Sequence, residues 1–440
     1  MTHPGPGLDV RLEGEGGALR LVARPGGRPA LPALSDALET AARRGPRRLV
    51  LAWEGAGPFL APLVPRPGRR EELGEWLTSG RELARRLAEF PAPVVALLPG
   101  LTAGPPLELA LACRSRVALP SARLGFPDLQ AGTLPAWGGL ERAVTLAGPT
   151  RALEWLLSGA ALPAGMARGW GLVDRVVTRP EELAAEALRV SPRPPRWPFP
   201  DRLLRWLPFL RRMAFSRARL RAASMAPEPD AYPAPHRVVR LVELCLAWPP
   251  GEVADQVREA CLEAAESPAA RELPRLLAGD PGQPVAPETV VEAVVERLRE
   301  ALPGQREARR RVLAEMLAWG FDRVPLGRRL GEEALLEGLG RGRGAALLLS
   351  LSASGVDPFA TRWLPAFLAG TLEARARAGE DVPALAIDRL LVRELGWPAW
   401  RGGPLAFLAR LPVERARELL AAGGLPDAGP LLEAAREAGA

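Results

Sequence analysis

The sequence predicts an α/β domain followed by an all-α region, and three features of the chain lead to this prediction. Short apolar strands alternate with amphipathic helices up to about residue 190. Residues 191–200 are dense in Pro and Arg, which is typical of a linker. Beyond this linker, nearly every apolar segment has helical spacing. We therefore expect an α/β domain at 1–190, a linker with its helices at 191–280 and an all-α domain at 281–440.

The first region opens with residues 8–24, where apolar and polar side chains alternate across Gly16-Gly17 and predict a β-hairpin. After it, short hydrophobic runs predict strands, and apolar stripes that repeat every three or four residues predict the helices between them. The predicted strands are 48–53, 94–98 and 116–119, and the predicted helices are 34–44, 71–90 and 107–112.

The second region has the apolar periodicity of consecutive helices joined by Gly- or Pro-rich segments. The predicted helices are 201–223, 238–248, 253–265, 290–302 and 307–317, and more helices follow to the end.

The basic residues give the chain a formal net charge of +7 at pH 7, but they are spread along it rather than clustered. All 58 of them are Arg, since the chain has no Lys; it also has no Asn and a single Ile, Ile387. This composition is typical of a GC-rich coding sequence. We therefore expect no nucleic-acid partner.

Hydrophobic residues make up 48% of the chain, but no run approaches the length of a membrane-spanning helix. The first residues lack the charged and then apolar segments of a secretory signal. Cys113, Cys245 and Cys261 lie in apolar helical contexts without the spacing of metal ligands. We expect a cytoplasmic protein with no membrane span and no metal site.

Three short motifs follow one another in the first region. The loop Gly104-Pro105-Pro106 opens the predicted helix that carries Glu108, Phe126-Pro127-Asp128 follows the next strand, and Gly138-Gly139 precedes another helix. In this order the motifs resemble the enoyl-CoA hydratase/isomerase (crotonase) family, and the resemblance covers about residues 8–190. It implies a crotonase-like α/β spiral of repeated ββα units that binds acyl-CoA thioesters.

The resemblance implies two catalytic carboxylates for proton transfer. Glu108 matches the first glutamate of the family, and Asp128 stands where most hydratases have the second. Hydration of an enoyl thioester needs a base for the water and an acid for the α-carbon. Asp is one methylene shorter than Glu, which reduces its reach. From the residues alone, Glu108 could instead compensate the helix dipole, and Asp128 could be an ordinary turn residue.

The resemblance also implies an oxyanion hole with two backbone N–H donors. The first donor matches Leu63, in a loop where Pro62 and Val64 replace the Gly and Asp of the family. The second falls on Pro105, directly after Gly104, and proline has no N–H. Since removal of one oxyanion donor typically lowers the rate about 10²- to 10³-fold, we expect a degenerate oxyanion hole.

Trp137 and Gly138 are candidates for the substrate pocket, because Trp137 stands beside the Gly138-Gly139 turn of the motif. For Trp137 the alternative is a place in the hydrophobic core, and for Gly138 a structural turn.

The second region has a resemblance of its own. The segments 231–235 and 263–268, with an apolar helix between them, are similar to the linker of multifunctional fatty-acid oxidation α-subunits. Residues 394–405 are similar to the C-terminal helical domain of the 3-hydroxyacyl-CoA dehydrogenase in those proteins. The chain as a whole thus resembles such an α-subunit without its Rossmann domain.

The dehydrogenase activity itself is not expected. A Rossmann domain needs βαβ units of about 30 residues with a Gly-rich turn. The best glycine pattern of the second region, 338–344, follows a predicted helix rather than a strand. The resemblance to the dehydrogenase would also require a catalytic histidine on that Rossmann domain. The chain has two histidines, and they lie elsewhere: His3 in the N-terminal tail and His236 in the linker. We therefore expect no NAD cofactor and no hydride transfer.

We expect an enoyl-CoA hydratase/isomerase-like protein related to fatty-acid β-oxidation, with a coenzyme A thioester as substrate or ligand and no cofactor. The alternative is a catalytically inactive scaffold or regulatory subunit of a fatty-acid oxidation complex. Loss of loop glycines favours the inactive protein, whereas Glu108 and Asp128 favour residual chemistry. A second copy of the chain or a thiolase-like subunit is the expected protein partner.

Overall fold

The computed structural model describes residues 9–13, 18–24, 31–53, 70–195, 197–204, 206–248, 250–277, 286, 288–339, 351, 361–378, 382–429 and 432–433. The chain divides into two compact units. The first unit consists of Met1–Arg219 and Pro233–Glu266, and the second of Leu220–Tyr232 and Ser267–Ala440.

The first unit is built on two β-sheets. Their strands are β1 Asp9–Glu13, β2 Ala18–Arg24, β3 Arg48–Trp53, β4 Val94–Leu98, β5 Leu101–Ala103, β6 Ser115–Ala118, β7 Arg123–Gly125, β8 Leu162–Pro163 and β9 Arg175–Val176. One sheet has the order β1-β2-β3-β4-β6-β9, and the other has the order β5-β7-β8. All neighbours in the larger sheet are parallel except the opening hairpin β1–β2. The predicted hairpin and the predicted strands at 48–53 and 94–98 are confirmed.

Helices connect the strands and then extend the unit. They are α1 Leu31–Arg44, α2 Arg70–Ala88, α3 Pro105–Ala112, α4 Gly139–Ala147, α5 Pro149–Ser158, α6 Ala164–Gly169, α7 Glu182–Ala187, α8 Phe199–Leu204, α9 Pro208–Met225, α10 Ala234–Leu244 and α11 Pro250–Glu266; the last turns of α9 belong to the second unit. Helix α3 begins two residues before the predicted start, because Pro105 and Pro106 occupy its first turn, where a missing N–H costs no hydrogen bond.

One predicted helix, 201–223, is wrong in its continuity. The chain leaves helix α8 at Leu204 and begins helix α9 at Pro208. Inside a helix the Pro208 ring would remove a hydrogen bond and clash with the preceding turn, so the proline starts a new helix instead.

The strand that positions the candidate site is β4, and all five of its residues are buried. A parallel strand covered on both faces needs such an unbroken apolar run. Beside it, Arg116 of β6 is buried and pairs with Asp174, with an Nη2–Oδ2 distance of 3.1 Å. Arg116 also donates to the carbonyls of Cys113 and Leu172, which fixes the end of α3 and the chain before β9.

All of the described regular structure that lies wholly in the second unit is helical. Its helices are α12 Pro268–Leu277, α13 Thr289–Ala301, α14 Arg306–Trp319, α15 Arg323–Leu330, α16 Glu333–Gly338, α17 Trp363–Ala378, α18 Ala384–Leu395, α19 Pro404–Arg410 and α20 Val413–Ala422. An aromatic cluster fills the core: Trp319 stacks edge-on against Trp363 and Trp397, with ring centroids 5.2 Å apart in each pair. The predicted all-α character of this region is confirmed for its described residues.

Gly403, which directly precedes helix α19, is required by a close contact in this unit. Asp388 of α18 is buried and accepts N–H bonds from Leu405 at 2.7 Å and Ala406 at 3.2 Å, the first free donors of α19. A Cβ atom on Gly403 would lie 1.9 Å from Asp388 Cγ. Only glycine therefore lets the carboxylate reach the start of α19.

Among the described helices, none combines the length and the apolar character that crossing a bilayer requires.

Candidate active site

The site is built around the start of helix α3, where a strand turns sharply into a helix. Gly104 makes this turn with a φ of 63°, in the left-handed region that favours glycine. Its N–H donates to the carbonyl of Gly125 in β7 at 3.0 Å, which ties the helix start to the smaller sheet. Glu108 follows one turn later and points away from solvent, since it is fully buried.

The start of α3 has no spare backbone donor. A helix normally leaves its first four N–H groups without intrahelical partners. Here Pro105 and Pro106 have no N–H, and the N–H groups of Leu107 and Glu108 both bond to the carbonyl of Gly104, at 2.9 and 3.1 Å. With the Gly104 N–H already bonded to Gly125, every backbone nitrogen from 104 to 108 is accounted for.

The Glu108 carboxylate is held by the turn before helix α4. Its Oε2 atom accepts N–H bonds from Trp137 and Gly139, each at 2.7 Å. A Cβ atom on Gly139 would lie 2.5 Å from Glu108 Cγ, so this contact also requires glycine. The two bonds fix one carboxylate oxygen and leave the other for the cavity.

Asp128 faces the same cavity from the loop after β7. It directly precedes the short 3-10 turn Leu129–Ala131 without a side-chain capping bond, and its carbonyl accepts from the N–H of Thr133 at 2.8 Å. Its carboxylate is buried, and Oδ2 has no hydrogen-bond partner among the described residues. A buried polar atom without a partner is costly and is a frequent sign of a functional site.

Glu108 and Asp128 together line a small cavity of about 10 Å³. This is close to the volume that one water molecule needs. The remaining lining residues are mostly apolar: Leu73, Trp76, Leu77, Pro105, Thr133, Leu134, Ala136 and Cys261. The arrangement thus places two carboxyl groups and room for one water inside an apolar wall.

Burial raises the pKa of both carboxyl groups well above the ordinary values. For Glu108, loss of hydration is the largest cause, and the nearby Asp128 raises its pKa further by repulsion. For Asp128, loss of hydration is again the main cause. Two carboxylates so close cannot both ionise easily, so the pair shares a proton near neutral pH. The two N–H bonds to Glu108 lower its pKa, but they do not cancel the rise that burial causes.

Helix α11 closes one side of the cavity through Cys261. Its thiol is buried and lies 3.8 Å from the carbonyl of Leu134. Burial raises the pKa of this thiol to about 12, so it is an apolar wall and not a nucleophile. Sequence reasoning missed Cys261 as a member of this site, because 133 residues separate it from Asp128.

The structure places Trp137 and Gly138 in the turn that holds Glu108. Trp137 is not among the described residues that line the cavity; its ring packs on Trp76 with centroids 4.5 Å apart and fills the space above Gly80. Gly138 adopts a left-handed φ of 94°, and a Cβ there would lie 2.1 Å from Arg142 Nη1. Both residues shape the turn that holds Glu108, and their part in a substrate pocket stays a prediction.

The first oxyanion donor, Leu63, lies outside the described residues. Within the described ranges, no three His, Cys, Asp or Glu side chains cluster as metal ligands would. The glycine pattern at 338–344 falls largely outside the described residues as well.

Comparisons with known proteins identify a family profile that matches part of the first unit. Residues 70–193 match the sequence profile of the family described as Enoyl-CoA hydratase/isomerase. The matched residues include the loop before α3, Glu108, Asp128 and the turn before α4. The match confirms the predicted crotonase-type spiral in this part of the chain.

The relatives with curated descriptions are multifunctional proteins. The chain is 34% identical over 168 residues to the glyoxysomal fatty acid beta-oxidation multifunctional protein MFP-a of Cucumis sativus, an alignment that covers 36% of this chain and 22% of the relative. It is 44% identical over 97 residues to the peroxisomal fatty acid beta-oxidation multifunctional protein MFP2 of Arabidopsis thaliana, covering 22% of this chain and 13% of the relative. The alignments therefore span less than a quarter of either relative's length.

Among solved structures, the chain is similar to a carnitinyl-CoA dehydratase from Mycobacterium thermoresistibile. The TM-score is 0.47 at 16% identity, and the similarity covers 61% of this chain and 89% of the other.

Proposed function

We propose, from the membership of residues 70–193 in the enoyl-CoA hydratase/isomerase family, that this chain binds acyl-CoA thioesters at the cavity between Glu108 and Asp128. The proposed reaction is a weak hydration or isomerisation of enoyl thioesters. The observation that carries the proposal is the buried pair of carboxyl groups on a water-sized cavity.

The positions of the two carboxyl groups support a division of roles between a base and an acid. Glu108, oriented by the N–H groups of Trp137 and Gly139, would in its ionised form take a proton from water as the oxygen attacks the β-carbon of the enoyl thioester. Asp128, in its protonated form, would deliver its proton to the α-carbon. The raised pKa values favour this chemistry, because an acid and a base work best when their pKa values lie near the operating pH.

The weakness of the reaction is argued from the start of α3. Addition of water puts negative charge on the thioester oxygen, and backbone N–H donors normally stabilise it. The segment from Gly104 to Glu108 has no free N–H to offer. The oxyanion would depend on the other loop alone, so we expect a rate about 10²- to 10³-fold below that of a relative with both donors.

A second candidate function is a non-catalytic scaffold of a fatty-acid oxidation complex. The size of the cavity favours it, since about 10 Å³ admits a water but not an acyl chain unless α11 or its neighbours move. For either function, a thiolase-like subunit is the proposed protein partner. The proposed location is the cytoplasm, whereas the two plant relatives are named as glyoxysomal and peroxisomal proteins.

Isothermal titration calorimetry with acyl-CoAs of increasing chain length, combined with hydration kinetics on crotonyl-CoA, separates the two functions. The Glu108→Gln variant keeps the size of the side chain and an oxygen for the two N–H donors, but it loses the base. We expect it to bind acyl-CoA normally and to hydrate at least about 10²-fold more slowly.

The matched control is Glu75→Gln, the same change at an exposed position on helix α2. It should leave binding and rate unchanged. If Glu108→Gln hydrates as fast as the wild type, the proposed reaction at this site is wrong. If no acyl-CoA binds to the wild type, the scaffold function replaces the enzymatic one.

A further inference from the structure

The turn that leads into helix α4, residues 136–139, is held by arginine side chains from two helices. Arg142 of α4 donates from Nη1 to the carbonyl of Trp137 at 2.9 Å. Arg81 of α2 donates from Nη1 to the carbonyl of Ala136 at 3.4 Å. The N–H groups of the same turn donate to Glu108, so the arginines hold the carbonyl side of the segment that orients this carboxylate.

Three consecutive peptide groups make up this turn, and Arg142 holds two of them. A peptide group is planar, so its C=O and its N–H move as one body. The Arg142 side chain fixes the middle group through the carbonyl of Trp137, and the Arg142 backbone N–H fixes the last group through the carbonyl of Gly138 at 3.1 Å. The N–H at the other end of that last group belongs to Gly139 and donates to Glu108. A shift of the guanidinium would therefore tilt the peptide groups that donate to the carboxylate.

Gly138 leaves the space that the guanidinium of Arg142 occupies. A Cβ atom at position 138 would lie 2.1 Å from Nη1 and 3.1 Å from Cζ of Arg142. The absence of a side chain there lets Arg142 fold back against the turn. Its Nη2 atom donates to the carbonyl of Ala84 on α2 at 3.5 Å, so the guanidinium, which is partly buried, bridges α2 and the turn.

Within the described ranges, Arg142 forms no ion pair, and both of its side-chain hydrogen bonds go to carbonyl oxygens. Arg81, in contrast, pairs with Glu141 at 2.6 Å, so those two charges offset each other. Burial lowers the pKa of Arg142, and the carboxylates of Glu141 and Glu108 act against this. By the same interaction the guanidinium favours the ionised form of Glu108. The other titratable groups that face Arg142 or the carboxyl pair are Asp128 after β7, Cys113 after α3 and Cys261 on α11.

We propose that Arg142 is a positioning residue: it holds the turn that orients Glu108 and supplies a positive charge near this carboxylate. The proposal rests on the proposed function, in which Glu108 takes a proton from water. Arg142 is not among the described residues that line the cavity, so it acts through the turn and through its charge rather than on the substrate. Its loss should leave thioester binding nearly intact and slow the proton transfer, because a misplaced base acts poorly even when it is still present.

Hydration of crotonyl-CoA by the full chain, measured as a function of pH, tests this proposal. Arg142→Met removes the donor and the charge but keeps an unbranched side chain. We expect it to lower kcat about 10²-fold, with KM changed less than about threefold. The pH at which activity is lost on the acid side should rise, because Glu108 without the nearby positive charge binds its proton more tightly. Arg142→Lys keeps a charge and a donor, so it should lose less than about 10-fold in kcat and keep the wild-type pH dependence.

Arg151→Met is the matched control, since it makes the same change at a partly buried arginine on helix α5. The Arg151 guanidinium lies 5.8 Å from the centroid of the Trp170 ring, which is not part of the turn at 136–139. This variant should keep the wild-type kcat and pH dependence. Thermal melts check that each variant is folded. If Arg142→Met does not fold, Arg142→Gln removes the charge and keeps a donor, and it should show the same rise on the acid side.

A titration that does not need turnover separates this proposal from the proposed function. The infrared band of protonated carboxyl groups that Glu108→Gln removes reports the pair directly, and its midpoint should move to higher pH in Arg142→Met but not in Arg142→Lys. If the wild type hydrates no thioester, the proposed function fails, and this titration alone decides the role of Arg142. An unchanged midpoint in Arg142→Met would overturn the proposal. So would a loss of kcat that Arg142→Lys does not relieve, or an equal shift in Arg151→Met.

Discussion

Restoring one backbone donor at the start of helix α3 should restore much of the hydration rate. Pro105 is the first residue of this helix and lines the cavity that Glu108 and Asp128 share. Replacing it with glycine places an N–H at a position that has no intrahelical acceptor, so the new donor is free to face the cavity. The positive end of the helix dipole adds to its effect on a developing oxyanion.

The size of the expected gain in rate follows from the present start of α3, which supplies no free backbone N–H donor. One oxyanion donor is worth about 2.7–4 kcal/mol, or about 10²- to 10³-fold in rate. We expect Pro105→Gly to gain about 10²-fold, at the lower end, because Asp128 remains one methylene short of the family's glutamate. The loss of the proline ring costs stability by about 1 kcal/mol or less, which leaves the protein folded.

The assay is the loss of the conjugated enoyl absorbance of crotonyl-CoA, with binding measured in parallel. Pro106→Gly is the matched control: it removes a proline one residue later, and Pro106 is not among the described residues that line the cavity. If both variants bind the thioester and hydrate it equally fast, a donor at position 105 is not what the site lacks. The reasoning about the oxyanion hole would then be refuted.

Two further predictions concern the stability of the site. In the folded protein, burial holds the pKa of Glu108 and Asp128 above the value of about 4 that carboxyl groups have in the unfolded chain. Between the unfolded and the folded pKa, the folded state binds more protons than the unfolded state. The free energy of unfolding should therefore fall as the pH rises from the unfolded to the folded pKa. Glu108→Gln removes one member of the pair, so thermal melts should show a smaller loss of stability between roughly pH 5 and pH 9 than in the wild type. Equal slopes of stability against pH in the two proteins would contradict the shared proton. Gly80→Ala should lower the free energy of unfolding by about 1–3 kcal/mol, because its Cβ would lie 1.8 Å from the Trp137 ring. Gly165→Ala, where nothing lies within 4 Å, is the control, and an equal loss in urea denaturation would contradict the steric argument.

Local sequence patterns predicted the spiral and its carboxylates because the signals are short in range. A buried parallel strand reads as an apolar run, as in Val94–Leu98, and the Gly104-Pro105-Pro106 loop marks a helix start within three residues. Glu108 and Asp128 were identifiable by their places in such motifs. Their catalytic roles, and the domain boundaries at 190 and 280, stay predictions.

The rest of the site depends on contacts that no local pattern encodes. Cys261 reaches the cavity from a helix whose own periodicity indicates only a buried face. The packing of the Trp137 ring depends on Gly80, a residue 57 positions earlier that leaves room for the ring. The break between α8 and α9 could have been found, since Pro208 stands where a continuous helix would need an N–H.

The contact between Asp388 and the start of α19 bears on how the second unit opens. The Asp388 carboxylate lies on helix α18. The backbone N–H groups that donate to it, those of Leu405 and Ala406, belong to the next helix, α19. Fraying of α19 would leave this buried group without its donors, so the two helices should open together rather than in turn. In native-state hydrogen exchange, the amides of Leu405 and Ala406 should therefore exchange with the same opening free energy as the interior amides of α18. Helix ends usually exchange first, and these two amides should be the exception.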